Sequence, residues 1–223
     1  MATHTGEIIS IVGSNLGADN PLTARLAPGQ ESLGVELGDV RVLFDGVAAP
    51  LLYVSSTQIN AIVPFGTAGE QETILVVENA GTPSNQARLG VVSATPAIFS
   101  SQSVHNNLPV AAALNQDGTI NSEKNRAEPG SIVSVFATGF GALTPQPTDG
   151  SLVSTPLPAL QQDILVFGPG LVDVLYAGPA PDQVAGLMQV NFRLAEGLTE
   201  APTIFMFAGG WPSLYFTVWV SGT

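Results

Sequence analysis

Residues 51–66 read LLYVSSTQINAIVPFG, and residues 174–197 read VLYAGPAPDQVAGLMQVNFRLAEG. Each runs from an apolar-apolar-Tyr triplet, through a polar turn, to Gln-aliphatic-Asn and a further apolar run. Working outward, GEIISIVGSNLG (6–17) matches GSIVSVFATGFG (130–141) at an offset of 124. Tyr53 matches Tyr176 at an offset of 123, and Gln58-Ile59-Asn60 matches Gln189-Val190-Asn191 at 131. The landmarks keep their order. The change of offset places about eight extra residues in the second turn, at 177–186. Self-similarity of this kind predicts one structural unit built twice.

The unit is a β one. Period-two segments and short apolar runs dominate. They predict strands at 7–12, 40–44, 50–54, 58–63, 73–78 and 86–92, then at 131–137, 162–167, 171–176, 187–194, 202–208 and 214–220. Between them stand turn signals: Asp45-Gly46, Pro64-Phe65-Gly66, Asn79-Ala80-Gly81, Gly168-Pro169-Gly170 and Gly209-Gly210. Strands at this spacing predict an all-β fold of two tandem immunoglobulin-like β-sandwiches. The expected division is a first sandwich over 1–95, a structured connector over 96–128 and a second sandwich over 129–223. In the connector, ALNQDGTIN (113–121) predicts a short hairpin with a two-residue Asp117-Gly118 turn, both residues at positive φ.

Composition narrows the function classes. The 223 residues are 45% hydrophobic and 11% charged, enough for a buried core. The net charge is −12, from 18 acids against 6 bases, which disfavours nucleic acid and anionic membrane surfaces as partners. No cysteine is present, so disulfides, thiolate metal sites and cysteine nucleophiles are excluded. The uncharged stretches are broken by Gly and Pro and predict no membrane insertion. MATHTGEIIS carries no secretory leader pattern, and no Asn-x-Ser/Thr sequon occurs.

Glu7–Gly17 followed by VRVLFDGVAAPLLYVSSTQINAIVPFG resembles the immunoglobulin-like IPT/TIG type of domain. The shared features are an early Gly-x-Asn-Leu turn, a Gly-containing hairpin and a strand ending in a Val-Pro-x-Gly step. The pair of copies, with PAIF, ALNQDGTINS, PGSIVSVFATGFG and LMQVNFRL, is similar to an uncharacterised C-terminal domain family abundant in acidobacterial secreted proteins. The resemblance implies a non-catalytic extracellular or cell-surface module for attachment, spacing or protein interaction, at the end of a larger secreted protein. The implied partner is another protein or a cell-surface polymer. A carbohydrate-binding module serving an absent catalytic domain is the alternative, with a glycan as ligand. Two features depart from the pattern: no strand is expected before Gly6, and 201–220 is unusually aromatic.

No constellation for catalysis is visible, and no catalytic residue, cofactor site or metal site is expected. Gly13-Ser14-Asn15-Leu16-Gly17 lacks the Lys and the helix of a phosphate loop, so it reads as a turn. Asn115-x-Asp117-Gly118-x-x-Asn121 fails the calcium-loop pattern at Ala113 and Lys124 and reads as the hairpin already described. His4 is expected in a frayed terminus and His105 in a solvent-facing loop. Pairs such as Glu70/Glu72 or Asp163/Asp173 read as solvated acids.

The candidate interaction surface is the C-terminal hairpin PTIFMFAGGWPSLYFTVWV, with Phe205, Phe207, Trp211, Tyr215 and Trp219. A strand with one wet face alternates apolar and polar residues; here both faces are apolar. The expected cover is the rest of the chain, then a partner at the edge of the last strand. Third is a sugar platform on Tyr215 and Trp219, about 13 Å apart along one face. Burial of Trp219 within the monomer leaves only the first.

Overall fold

The computed structural model describes residues 2–27, 29–198 and 200–222. They are almost entirely β. One turn of 3-10 helix at Phe65–Thr67 is the only helical element among them. Two compact units divide the chain. Unit 1 holds residues 1–94 together with 141–161 and 179–187; unit 2 holds 95–140, 162–178 and 188–223.

The first half contributes β1 (Ala2–Thr3), β2 (Ile8–Val12), β3 (Leu22–Thr23), β4 (Val40–Phe44), β5 (Val47–Ala48), β6 (Leu51–Val54), β7 (Gln58–Ile62), β8 (Glu72–Asn79), β9 (Thr82–Pro83) and β10 (Ala87–Val91). They form two sheets. One runs β1-β10-β8-β4-β5, with β9 on β8; the other runs β2-β7-β6-β3. Alternation explains their packing: Val40, Val42, Phe44, Leu75 and Val77 of the first sheet share a buried cluster with Leu51, Val54, Ile59 and Ala61 of the second. This is an immunoglobulin-like sandwich.

The sequence predicted neither β1 nor the fate of His4. Ala2 and Thr3 pair in parallel with Gly90 and Val91, closing the edge of β10. Thr3 and His4 are 1% and 2% exposed, so the terminus is not frayed. The Glu7 carboxylate accepts hydrogen bonds from Thr3 Oγ1 (2.8 Å) and the His4 N–H (3.0 Å), which anchors the segment.

Unit 1 is completed from far along the chain. Ser32 bridges to Ser151, Leu33 N–H donates to the Gly150 carbonyl (2.9 Å), and Phe65 N–H donates to Asp149 Oδ1 (2.7 Å). Phe65, Val153 and Ala185 form a small apolar cluster with Leu157 against it. The lengthened turn at 177–186 therefore supplies buried structure, Ala180 and Ala185 being fully buried. Only its tip, Pro181–Gln183, is exposed.

The second half begins with β11 (Ala97–Ile98), β12 (Ser100–His105), β13 (Leu108–Ala111), β14 (Ala113–Leu114) and β15 (Ile132–Thr138). After β16 (Leu143–Thr144) and β17 (Ala159–Leu160), which pair with each other in unit 1, come β18 (Ile164–Phe167), β19 (Leu171–Pro179), β20 (Met188–Leu194), β21 (Phe205–Ala208) and β22 (Trp211–Pro212). In unit 2 one sheet runs β11-β15-β20-β19, with β14 also on β15, and another runs β18-β21-β22. The short strands β11 to β14 place the 96–128 stretch within unit 2.

Pairing register recurs between the halves. Ser10 faces Asn60 and Val12 faces Gln58; at the matching positions Ser134 faces Asn191 and Phe136 faces Gln189. The Gln58 amide donates to Asn60 Oδ1 at 2.8 Å, and the Gln189 amide to Asn191 Oδ1 at 2.9 Å. The Gln-aliphatic-Asn step is thus a strand whose half-buried polar face closes on itself, while Ile59 and Val190 between them are fully buried.

The connector hairpin differs from expectation in its turn. Gly118 is at φ 80, but Asp117 is not among the residues of positive φ. Asn115 N–H donates to the Thr119 carbonyl across a three-residue loop. Asp117 Oδ1 instead accepts from Thr119 N–H (3.0 Å) and Thr119 Oγ1 (2.6 Å). The carboxylate does the turn-closing work that a left-handed Asp was expected to do.

Candidate functional site

The last segment of the chain separates into two environments within seven residues. Phe216 to Val220 are all buried. Phe216 bridges antiparallel to Ile204, while Thr217 and Val220 bridge in parallel to Val110 and Ala127. Asn121 completes this cover. Its side chain donates to the Trp219 carbonyl (2.8 Å) and to Asn115 Oδ1 (2.9 Å), and accepts from the Trp219 N–H (2.9 Å). One amide side chain thereby meets both backbone groups of Trp219, as a neighbouring strand residue would. The indole packs against the His105 ring at 4.6 Å and lies 5.2 Å from the Arg126 guanidinium carbon.

Trp219 is 7% exposed, so it belongs to no open surface. This overturns the Tyr215–Trp219 platform and docking along the edge of the last strand. The physical reason is the connector: residues 105–127 supply the ring, cation and strand bridges that cover the indole. His105 is a packing residue here and not a free loop histidine.

The other environment is open. β18 and β21 pair with Leu165 opposite Phe207 and Phe167 opposite Phe205. The Ile204–Phe216 bridge carries this row one step further, placing Tyr215 beside Phe205. Leu165, Phe167 and Tyr215 are 53%, 43% and 55% exposed, and Phe205 and Phe207 are half-buried between them. Phe167 stacks on Phe205 (5.3 Å, 16°). Phe207 meets Phe167 and Phe205 edge-on, and Tyr215 meets Phe205 edge-on at 5.1 Å. The opposite row of β21, Met206 and Ala208, is fully buried. The doubly apolar hairpin is explained: one row fills the core of unit 2 and the other faces water.

Trp211 stands across from Ala208 beside the Gly209–Gly210 turn, half exposed and one register step off the aromatic row. The structure thus brings Phe205, Phe207 and Tyr215 together and leaves Trp211 and Trp219 out. Leu165 and Phe167 were missed. The signal was available, since 164–167 (ILVF) is apolar on both faces, as is the hairpin it pairs with.

Asp163 is the one charged residue in the segments that form this face, 163–167 and 204–216. Exposed Asp163 continues the Leu165–Phe167 row, whereas Asp173 lies on β19 in the other sheet. Elsewhere, a cleft of about 400 Å³ in unit 1 is lined by Asp45, Glu70 and Glu72. Asp45 is occupied by Thr73 Oγ1 and Ile74 N–H. Among the described residues no cluster of three or more His, Asp or Glu is arranged to hold a metal, and no helix is long and apolar enough to cross a membrane.

Comparison with known proteins gives one family. Residues 2–89 match the family model of the IPT/TIG domain. IPT/TIG domains are immunoglobulin-like modules, generally non-catalytic, that serve protein interaction or adhesion and are commonly extracellular. No curated protein matches the chain.

Proposed function

We propose that this chain is a non-catalytic interaction module of two tandem immunoglobulin-like repeats that docks a partner protein through the open aromatic face of unit 2. The observation that carries the reading is the row Leu165, Phe167, Phe205, Phe207 and Tyr215, apolar side chains exposed or half-exposed to water, while the alternate row of β21, Met206 and Ala208, is fully buried. Contiguous apolar surface of this kind marks interaction sites, and aromatic side chains dominate their energetics. The matched IPT/TIG segment supports the same class of role. So do the recurring register and the recurring Gln–Asn bond, which support a unit built twice.

The partner is a protein that presents apolar side chains rimmed by Lys or Arg. The segments that form the aromatic face, 163–167 and 204–216, carry Asp163 as their one charge, so a basic rim is the complement. A glycan fits less well. Sugar rings stack on flat, accessible aromatic faces, whereas Phe207 and Tyr215 stand edge-on to their neighbours and Trp219 is buried. The setting is the surface of a cell or the end of a larger secreted chain, which rests on the resemblance to secreted C-terminal domains.

The test compares the intact chain with a Leu165→Asp/Tyr215→Asp double variant, whose sites are both exposed. Each is cross-linked to secreted proteins and each is applied to a glycan array. The expected result is a protein ligand that the variant binds at least about tenfold more weakly, and whose binding weakens at about 0.5 M salt. Equal binding by the variant, or a glycan ligand on the array, overturns the reading.

A further inference from the structure

β2 and β15 occupy equivalent places, with the same partners in the same register. Their outer edges differ. On β15 the edge away from β20 is occupied by two short antiparallel strands from the preceding chain. Ala97 and Ile98 pair with Thr138 and Ala137, and Ala113 and Leu114 pair with Val135 and Ser134. Between them Phe136 N–H donates to the Ala112 carbonyl (3.1 Å), and its carbonyl accepts from Phe99 N–H (3.0 Å).

On β2 the corresponding edge ends the sheet. Val63 N–H donates to the Glu7 carbonyl and Gly13 N–H donates to the Thr57 carbonyl, so odd-numbered residues bond toward β7. Alternation then turns the backbone N–H and C=O of Ser10 and Val12 outward. Val12, the counterpart of Phe136, is 79% exposed and Ser10 is exposed. Val133 and Val135 are fully buried, whereas their counterparts Ile9 and Ile11 are half-buried.

This edge also lacks the usual protection. Natural edge strands carry Lys, Pro or a bulge that blocks pairing with another chain. Residues 8–12 are IISIV: three isoleucines and a valine, β-formers without a charge or a proline.

We propose that the outer edge of β2 seats an antiparallel β-strand from a partner protein, by main-chain pairing to Ser10 and Val12. The occupant is an extended segment of alanine and branched aliphatic side chains, the chemistry of Ala113-Leu114 and Ala97-Ile98 on the equivalent edge. Strand addition of this kind takes its affinity from main-chain hydrogen bonds and its specificity from alternate side chains. A second copy of this chain is a poor occupant. Unit 1 holds eleven of the eighteen acids and three of the six bases, and like charge opposes its self-association. The site lies in unit 1, so it stands or falls independently of the aromatic face.

The test is amide hydrogen exchange, read by NMR on the intact 223-residue chain. In the free protein Ser10 and Val12 exchange at least about tenfold faster than Ile9 and Ile11. Slow exchange at Ser10 and Val12 in dilute protein means the edge is already covered and overturns the proposal. The probe is a synthetic peptide of residues 108–116, LPVAAALNQ, which includes the native cover of β15. At about 1 mM it is expected to slow exchange at Ser10 and Val12 by about fivefold. N-methylation of alternate peptide amides abolishes the effect with the protein unaltered. Ser10→Pro, which removes one outward N–H and leaves the ladder to β7, also abolishes it. No slowing by the peptide, slowing confined to other strands, or protection that rises with protein concentration alone each overturns the assignment, the last by showing self-association.

Discussion

β2 and β15 share a hydrophobic pattern, a register and a Gln–Asn bond on the partner strand, yet one is an open edge and the other is interior. The strand's own sequence does not decide which. IISIV and IVSVF differ little, and the difference in burial comes from Ala97–Ile98 and Ala113–Leu114, two-residue strands some twenty to forty residues upstream of β15. A strand's environment is a property of the sheet as a whole.

The sharpest way to break this comparison is a buried charge at equivalent sites. Val135→Asp places a carboxylate where a fully buried side chain stands, with no partner to receive it. We expect a loss of about 4 kcal/mol or more, enough to unfold unit 2. Ile11→Asp, on the half-buried counterpart, is expected to cost about half as much because the carboxylate reaches water. Urea denaturation followed by tryptophan fluorescence reports unit 2, where Trp211 and Trp219 both lie, and far-UV circular dichroism reports the whole chain. Equal losses would mean that β2 is covered as β15 is.

A second asymmetry is titratable. His4 follows β1 in unit 1, its Nδ1 buried without a hydrogen-bond partner, and burial lowers its pKa from 6.5 to about 4. Above pH 6.5 the imidazole is neutral in both states and contributes no pH dependence. Between pH 6.5 and 4 the unfolded chain takes up a proton that the folded chain refuses, so stability falls as pH falls. The loss is complete below the folded pKa and amounts to about 3 kcal/mol. His4→Leu should flatten this part of the stability–pH profile measured by urea titration. An unchanged slope in the variant would assign the acid sensitivity to other groups.

The cover of residues 216–220 is expected to have a slightly smaller effect. Asn121→Ala strands the Trp219 N–H and the Asn115 Oδ1, while the Trp219 carbonyl keeps the Ala127 N–H, at a cost of about 2 kcal/mol. It should also expose the indole. A red shift of Trp219 fluorescence in the folded variant, measured with Trp211 replaced by Phe, checks this. An unshifted spectrum would mean that His105 and Arg126 hold the indole without the amide.

Much of the sandwich was legible because alternation is a local signal. The eleven longer strand segments from 7–12 to 202–208 appear within a few residues of where periodicity puts them. What was illegible is non-local. β1, β11 and β14 are two residues long and become strands only because an edge awaits them, at Gly90–Val91 and along β15. Likewise, the aromatic hairpin was visible as doubly apolar, but which aromatics share an open face depended on pairing. Phe167 joins Phe205 through β18 register, and Trp219 is withdrawn by Asn121, ninety-eight residues away. Side chains that act on distant backbone leave no periodic trace.

The smallest effect tests what the halves have in common. The Gln58–Asn60 and Gln189–Asn191 bonds are 2.8 and 2.9 Å, each between half-buried side chains on one strand. Water competes for such a bond, so removing it should cost only about 0.5–1 kcal/mol. Gln58→Ala and Gln189→Ala are therefore expected to destabilise by equal amounts, and the double variant by their sum, because the two sites share no partner. The residues opposite differ, Val12 in one case and Phe136 in the other, and only Phe136 has its backbone bonded on the outer side. If the cover of β15 stiffened the polar face of β20 as well, Gln189→Ala would cost measurably more than Gln58→Ala. Equal losses in urea denaturation would place the influence of the cover on the edge alone, and leave the Gln–Asn step as a strand device indifferent to its neighbours.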